Sequence, residues 1–192
     1  MSQTEVKAAA RKTAFARRRA ARNPGAEAAA QEALRLALAP HAGQALAGYM
    51  PIRTEIDPLP VMTGWAGPVG VPVIRGAGLP LDFHRWTPGC AMVEGPFGAS
   101  VPTEAVPVEP AVLIVPLVAF DARGFRLGYG GGFYDRTLER LRARRPTLAI
   151  GFAYAGQEAD TLPVDPTDQK LDMMVTEAGV ADFTGPGGSR LP

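Results

Sequence analysis

The chain has 192 residues, 46% of them hydrophobic, and a formal net charge of +1, which is the length of one domain able to bury roughly 70% of its unfolded surface and gives no overall pull towards nucleic acid or membrane. With three serines (Ser2, Ser100, Ser189), two histidines (His41, His84) and the single Cys90, the composition excludes a disulfide framework or cysteine-rich zinc set and leaves almost nothing from which to build a Ser-His-Asp hydrolase. The 22 glycines and 19 prolines imply many loops, and a lone cysteine suits a reducing compartment, so a cytoplasmic location is expected.

Residues 5–22 contain no Gly or Pro, are rich in Ala and Arg, and run into Asn23-Pro24-Gly25; this predicts a helix with a basic face. Its cations outnumber the single acid Glu5 as in an organelle transit peptide, but serine is scarce and no apolar segment follows, so neither a transit peptide nor a secretory signal is expected. A second helix is predicted over 26–39, with Ala30, Leu34 and Leu38 at helical spacing. Residues 45–49 read as a short buried strand. Pro58 and Pro60 interrupt the stretch 53–62, which is expected to be a loop with one helical turn.

Between 64 and 110, short apolar runs punctuated by Gly and Pro predict short strands and turns. Residues 111–120 are an unalternating apolar run, as in a parallel strand covered on both faces, and at ten residues with Pro116 inside they fall far short of the ~20 needed to cross a bilayer. A turn at 121–124, a glycine-rich loop, a helix over 133–144 carrying Tyr134, Leu138 and Leu141 on one face, and a buried strand over 148–154 complete one crossover unit. The expected fold is therefore α/β, a three-layer, Rossmann-like arrangement of a mainly parallel sheet with helices on both faces. One further strand is predicted at 173–176, and the whole chain, 1–192, is expected to be a single domain with a loose tail over 183–192.

The chemistry concentrates in Arg126-Leu-Gly128-Tyr-Gly130-Gly131-Gly132-Phe-Tyr-Asp135, between a buried strand and a helix, where open parallel sheets bind ligands. Glycines let backbone approach a ligand closely, and free amides at the start of the following helix favour an anion, most simply phosphate. Arg126 and Arg136 add charge, and Asp135 is placed to hold a hard cation such as Mg²⁺. Neither the Walker nor the dinucleotide pattern is met, since the latter requires Gly at Phe133; the alternative is a strand-to-helix turn whose Asp135 only complements the helix dipole. Lys7 and Arg11, four apart on a helix, suit a polyphosphate, against the commoner solvated basic face. Glu55 follows a strand end and is suited to read the donor edge of a heterocycle, against the commoner surface carboxylate. Asp165, Asp168 and Asp172 are candidates to complete a cation site, and Trp86, Phe97 and Tyr129 to stack on an aromatic ligand, although most aromatics are core.

The run from Gly124 to Arg136, after Pro116-Leu-Val-Ala-Phe-Asp121, resembles the signature of the 5-formyltetrahydrofolate cyclo-ligase family. The resemblance extends to Lys7-Ala-Ala-Ala-Arg11, to Glu55 after Tyr49-Met50-Pro51, to Ile150-Gly-Phe with Gln157, and to Pro163, Asp165 and the Asp168-Gln-Lys-Leu-Asp172 ending, over roughly residues 5–180. Two positions depart from the family pattern: Ala10 stands where leucine is usual, and Val101 precedes Pro102 where glutamate is frequent, the second bearing on substrate affinity.

The resemblance implies a fold similar to the ribose-5-phosphate isomerase and CoA-transferase type. It also implies conversion of 5-formyltetrahydrofolate to 5,10-methenyltetrahydrofolate with ATP as co-substrate and Mg²⁺ as cofactor. On that resemblance Lys7, Arg11, Arg126, Gly128, Gly130, Gly131, Gly132, Phe133 and Tyr134 bind ATP, with Arg126 and Tyr134 also catalytic. Met50, Glu55, Phe97, Tyr129 and Phe133 line the folate side, and Asp135 and Asp168 hold the metal. Partners are then small molecules, with no nucleic acid or membrane, and a monomer is expected. The alternatives are an inactive homologue serving as a nucleotide or folate-binding module, against which the intact charged residues argue, and an RNA-binding protein, against which the near-neutral charge and the scarcity of aromatics beside the basic helix argue.

Overall fold

A computed structural model describes residues 3–185 and 189–191. In chain order the helices are α1 (Gln3–Ala21), α2 (Pro24–Leu38), α3 (Leu59–Thr63) and α4 (Phe133–Arg142). The strands are β1 (Leu46–Ala47), β2 (Val69–Val73), β3 (Asp82–Arg85), β4 (Met92–Glu94), β5 (Ser100–Pro102), β6 (Val112–Val115) and β7 (Ala119–Asp121). They continue with β8 (Arg126–Leu127), β9 (Leu148–Phe152), β10 (Glu158–Ala159), β11 (Met173–Thr176), β12 (Gly179–Asp182) and β13 (Ser189–Leu191).

Eight strands form the main sheet in the order β13-β12-β11-β9-β6-β1-β2-β3. Its middle, β11-β9-β6-β1-β2, is parallel throughout, and antiparallel strands close both edges. Side-chain alternation divides the core into two layers. Val112, Ile114, Ile150 and Phe152 face α2 through Ala30, Leu34 and Leu38, while Leu113, Val115 and Ala149 face α4 through Leu138 and Leu141. Each such fully buried Leu, Val or Ile contributes about 1.5–3 kcal/mol, so this doubly covered strand pair anchors the three layers, as the unalternating apolar run at 111–120 predicts.

That run is not one strand. It breaks at Pro116, which has no amide to donate to the ladder; β6 stays in the main sheet and β7 enters a three-stranded sheet ordered β10-β7-β8. Ala14 of α1 packs on this second sheet with Val118, Ala119, Leu127 and Leu162. The expected single turn over 53–62 is α3, shifted to Leu59–Thr63 with Pro60 tolerated in its first turn. Of the stretch 183–192, expected as a loose tail, residues 186–188 and 192 lie outside the described residues, and Ser189–Leu191 pairs antiparallel with β12 at the sheet edge.

Candidate active site

The order of the parallel strands reverses at β1: the chain crosses from β1 to β2 on one side and later places β6, then β9, on the other. The crevice beyond the carboxyl ends of β1 and β6 is therefore the topological switch point, where such sheets bind ligands. Two loops meet there. One follows β1 and carries Thr54 and Glu55; the other follows the β7–β8 hairpin and carries the glycines that open α4. Helix α1 lies beside both, with Lys7, Arg11, Ala14 and Arg18 at spacings of four, three and four, a single helical face.

Lys7 Nζ lies 2.6 Å from Asp165 Oδ2 and 2.7 Å from Asp168 Oδ2. Burial works to lower the pKa of the ammonium, but the two carboxylates outweigh it and hold it above its ordinary 10.5. Asp168 Oδ2 also accepts the amide of Asp165 at 2.8 Å. Arg11 Nε donates to the carbonyl of Gly128 at 2.9 Å, and its guanidinium lies so near Gly130 that a Cβ there would meet Arg11 Cζ at 3.2 Å. Gly132 caps α4 with φ 63°, a left-handed conformation, and offers no side chain to the first-turn amides; such amides have no intrahelical acceptor, the arrangement in which helix N-termini can take an anion. Arg136 folds back onto the loop, donating to the Gly131 carbonyl and lying over the Phe133 ring.

Arg126 is nearly buried and ties two segments together, donating 2.7 Å to the Gln169 carbonyl and 2.9 Å to Asp135 Oδ1, which also accepts the Gln169 amide at 2.9 Å. Asp135 and the segment holding Asp168 thus meet through Gln169. Asp172 does not join them: it accepts from Arg142 at 2.8 Å and from the Ala149 amide at 2.7 Å. Among the described residues no three His, Cys, Asp or Glu side chains gather as a metal cage.

The inner wall is drier. Glu55 has a side chain 5% exposed, and its Oε2 accepts the amide of Ile52 at 2.9 Å. Burial raises its carboxyl pKa above the ordinary 4.5, opposed by that amide, by the Arg18 charge, by a hydrogen bond from Tyr129 and by Arg53. The Tyr134 hydroxyl is buried with no hydrogen-bond partner among the described residues, and burial followed by the Glu55 charge pushes its pKa far above the phenol range. Such an orphaned group normally awaits a partner, water or ligand. Arg53, beside Glu55, has φ 57°, an uncommon conformation for a side-chain-bearing residue that clusters at functional sites. Phe97, at φ 62°, is 74% exposed with its ring centroid 6.4 Å from that of Phe133. Met50 is partly buried and packs on the main core, and Trp86 is core outright.

Arg18 escaped the reading of the sequence. It is 1% exposed, donates 3.0 Å to Thr54 Oγ1 and 2.8 Å to the Tyr129 hydroxyl, and lies 3.9 Å from Glu55 Oε1. The signal was present, since Arg18 lies two helical turns beyond Arg11 on the same face, but it was masked by Arg17 and Arg19 on either side.

Cations and a glycine-opened helix at the switch point of a doubly wound sheet, beside a buried carboxylate, define an α/β protein with a candidate anion site abutting a buried polar cluster. The chain belongs to the 5-formyltetrahydrofolate cyclo-ligase family, whose profile matches residues 3–177, as the motif resemblance indicated. It is 40% identical over 101 residues to the 5-formyltetrahydrofolate cyclo-ligase of Haemophilus influenzae, an alignment covering 50% of this chain and 54% of that protein. It is 31% identical over 147 residues to the enzyme of that name from Mycolicibacterium smegmatis, covering 70% and 74% respectively. With the Escherichia coli K12 relative the match spans 39% of its length at 47% identity, so the chain matches about half or less of some of these relatives. Two solved structures share the fold at 26% identity. A 5,10-methenyltetrahydrofolate synthetase of Aquifex aeolicus gives a TM-score of 0.68 over 100% of this chain and 97% of that one. One from Mycoplasma pneumoniae gives 0.69 over 89% and 98%.

Proposed function

We propose that the chain cyclises 5-formyltetrahydrofolate to 5,10-methenyltetrahydrofolate, consuming ATP and releasing ADP and phosphate. The observation that supports the reading is the meeting, at one switch point, of a cationic and glycine-rich lining (Lys7, Arg11 and the loop from Gly128 to Gly132) with the buried cluster around Glu55. The reaction needs both. An N-formyl oxygen is a poor leaving group; its attack on the γ-phosphorus breaks the bond to the β-phosphate oxygen and frees ADP. The neighbouring folate nitrogen then attacks the formyl carbon and loses its proton, and the C–O bond breaks to release phosphate. No protein nucleophile is needed, in keeping with the scarcity of Ser, Cys and His, and the work left to the chain is positioning and charge neutralisation.

In this reading Lys7 and Arg11 bind phosphate oxygens, the amides at Gly130 to Tyr134 cradle the triphosphate, and Arg126 with Tyr134 faces the transferring group. Glu55 accepts from the donor edge of the pterin, with Met50, Tyr129, Phe133 and Phe97 lining the ring. Asp135 and Asp168 fit a magnesium ion: both are hard carboxylates, the bonds described engage Oδ1 of the first and Oδ2 of the second, and such ions are commonly held by one or two carboxylates plus substrate phosphate. Bound there, Mg²⁺ would neutralise charge on the phosphates. The test is the growth of methenyltetrahydrofolate absorbance on mixing protein, ATP, Mg²⁺ and 5-formyltetrahydrofolate. Absence of growth with ATP still bound would favour a binding module instead.

A further inference from the structure

Arg18 is the buried cation that this reading leaves without a role. It joins four separate segments of chain. From α1 its guanidinium donates to Thr54 Oγ1 in the loop after β1, to the Tyr129 hydroxyl in the glycine loop, and at 3.4 Å to the Leu117 carbonyl beyond β6. Its Cζ lies 5.4 and 5.5 Å from the ring centroids of Phe15 and Tyr129, which are themselves 5.5 Å apart, so the guanidinium sits against this aromatic pair. Removing a guanidinium from water is costly unless its donors are met, and here its Nε, Nη1 and Nη2 atoms all make hydrogen bonds.

The contact with Glu55 differs in kind. At 3.9 Å, Nη1 is too far from Oε1 for a hydrogen bond yet near enough to act by charge. The Tyr129 hydroxyl accepts from Arg18 and lies near enough to Glu55 to favour its charged form. A carboxylate has about four acceptor sites, so Glu55, held by the Ile52 amide, retains capacity for a ligand.

We propose that Arg18 is a positioning residue for the folate side of the site, fixing the Tyr129 ring and the Glu55 carboxylate in the arrangement that receives the pterin. This rests on the function proposed above. The groups facing Glu55 are Arg18 from α1, Arg53 from its own loop, Tyr49 after β1, Tyr129 from the glycine loop and Tyr134 from α4. Arg18 and Arg53 are the cations among them, so loss of the Arg18 charge favours the protonated carboxyl.

The experiment is steady-state kinetics of the full chain and of Arg18→Gln from acidic to neutral pH, with circular dichroism to establish folding. The expected result is a 5-formyltetrahydrofolate KM raised at least about tenfold, an ATP KM essentially unchanged, and an acid limb of folate kcat/KM displaced to higher pH. Arg18→Lys, which keeps the charge and loses the fork, should restore the limb and recover only part of the KM. An unaltered folate KM, an equal rise in both KM values, or an unmoved acid limb in Arg18→Gln would overturn the role. If Arg18→Gln does not fold, Thr54→Val removes one acceptor of the guanidinium; it should raise the folate KM alone, and no change would overturn the proposal. No product from the unsubstituted protein would instead overturn the functional reading itself.

Discussion

Lys7 and Arg18 lie on one face of the same helix and are solvated and bound in opposite ways. Lys7, its side chain 12% exposed, sits among carboxylates at the outer rim, where one cation contacts two partners at once, Asp165 and Asp168. Arg18 is sealed at 1% exposure, with its hydrogen bonds fixed to a hydroxyl, a phenol and a carbonyl. The outer half of the site is a set of exchangeable charges, suited to a polyanion that arrives with its own counterion. The inner half is a buried cluster of few polar groups, with the Tyr134 hydroxyl and part of the Glu55 carboxylate left open, suited to a heterocycle read by its edge. Charges near solvent are screened and individually weak, while those in the dry pocket are few and costly to disturb.

The largest break of this division is expected at Glu55. Glu55→Gln keeps the size and loses the charge, and should raise the 5-formyltetrahydrofolate KM about 100-fold, the upper part of the range for a hydrogen bond to a charged group. The ATP KM should hardly move. Equal loss of both substrates would dissolve the distinction between the halves. Lys7→Met is the converse test: the ATP KM should rise about 30-fold by loss of charge-assisted bonds while the folate KM stays near its parent value. Its stability should also fall, by about 1–3 kcal/mol, because Lys7 is mostly buried and its loss leaves two carboxylates without their donor. Thermal unfolding and initial rates together check both statements.

The two halves also differ in how far the sequence disclosed them. Unalternating apolar residues at 112–115 and 148–152, and the spacing of Leu138 and Leu141, are local signals, and each leads directly to an element of the main sheet or its cover. The glycines before α4 are equally local, since a left-handed cap such as Gly132 has few other occupants. The Lys7–Asp168 contact spans 161 positions, and nothing near Lys7 distinguishes it from Lys12. Arg18 was hidden for a related reason: in Arg17-Arg18-Arg19 only the helical phase set by Lys7 and Arg11 picks out the buried member. Pro116 marked the division of the apolar run between two sheets, but Leu117 and Val118 are as apolar as β6 itself, so hydrophobicity alone carried the strand through.

A smaller effect is expected at Asp135. Asp135→Asn leaves an oxygen that can still accept from Arg126 and the Gln169 amide and removes one negative charge from the outer half. The Mg²⁺ concentration for half-maximal rate should rise about fivefold, equivalent to about 1 kcal/mol, the order expected for one unit charge near solvent. The folate KM should be unaffected. An unchanged magnesium titration would remove Asp135 from the outer half and leave Asp168 as the carboxylate of interest.

The smallest expected effect is on stability against pH, and there the halves separate by pH window, each contribution falling as pH rises. Glu55 has a folded pKa raised by burial above its ordinary 4.5, so the native state takes up this proton at higher pH than the unfolded chain does. Its contribution to stability therefore improves as pH falls from the raised folded value towards 4.5, and is lost as pH rises through that window. Lys7 is also raised, from 10.5, but it is a cation: its stabilisation is fully present below 10.5 and fades as pH rises through the folded value. In Tm measured against pH, Glu55→Gln should flatten a rise on the acid side, and Lys7→Met should flatten a fall on the alkaline side only. Within the acid window folate affinity should move against stability, since the proton that relieves the buried carboxylate also removes its ability to accept from the pterin. Parallel loss of Tm and folate binding on acidification would show that Glu55 is held as a structural ion and not as a reader of ligand.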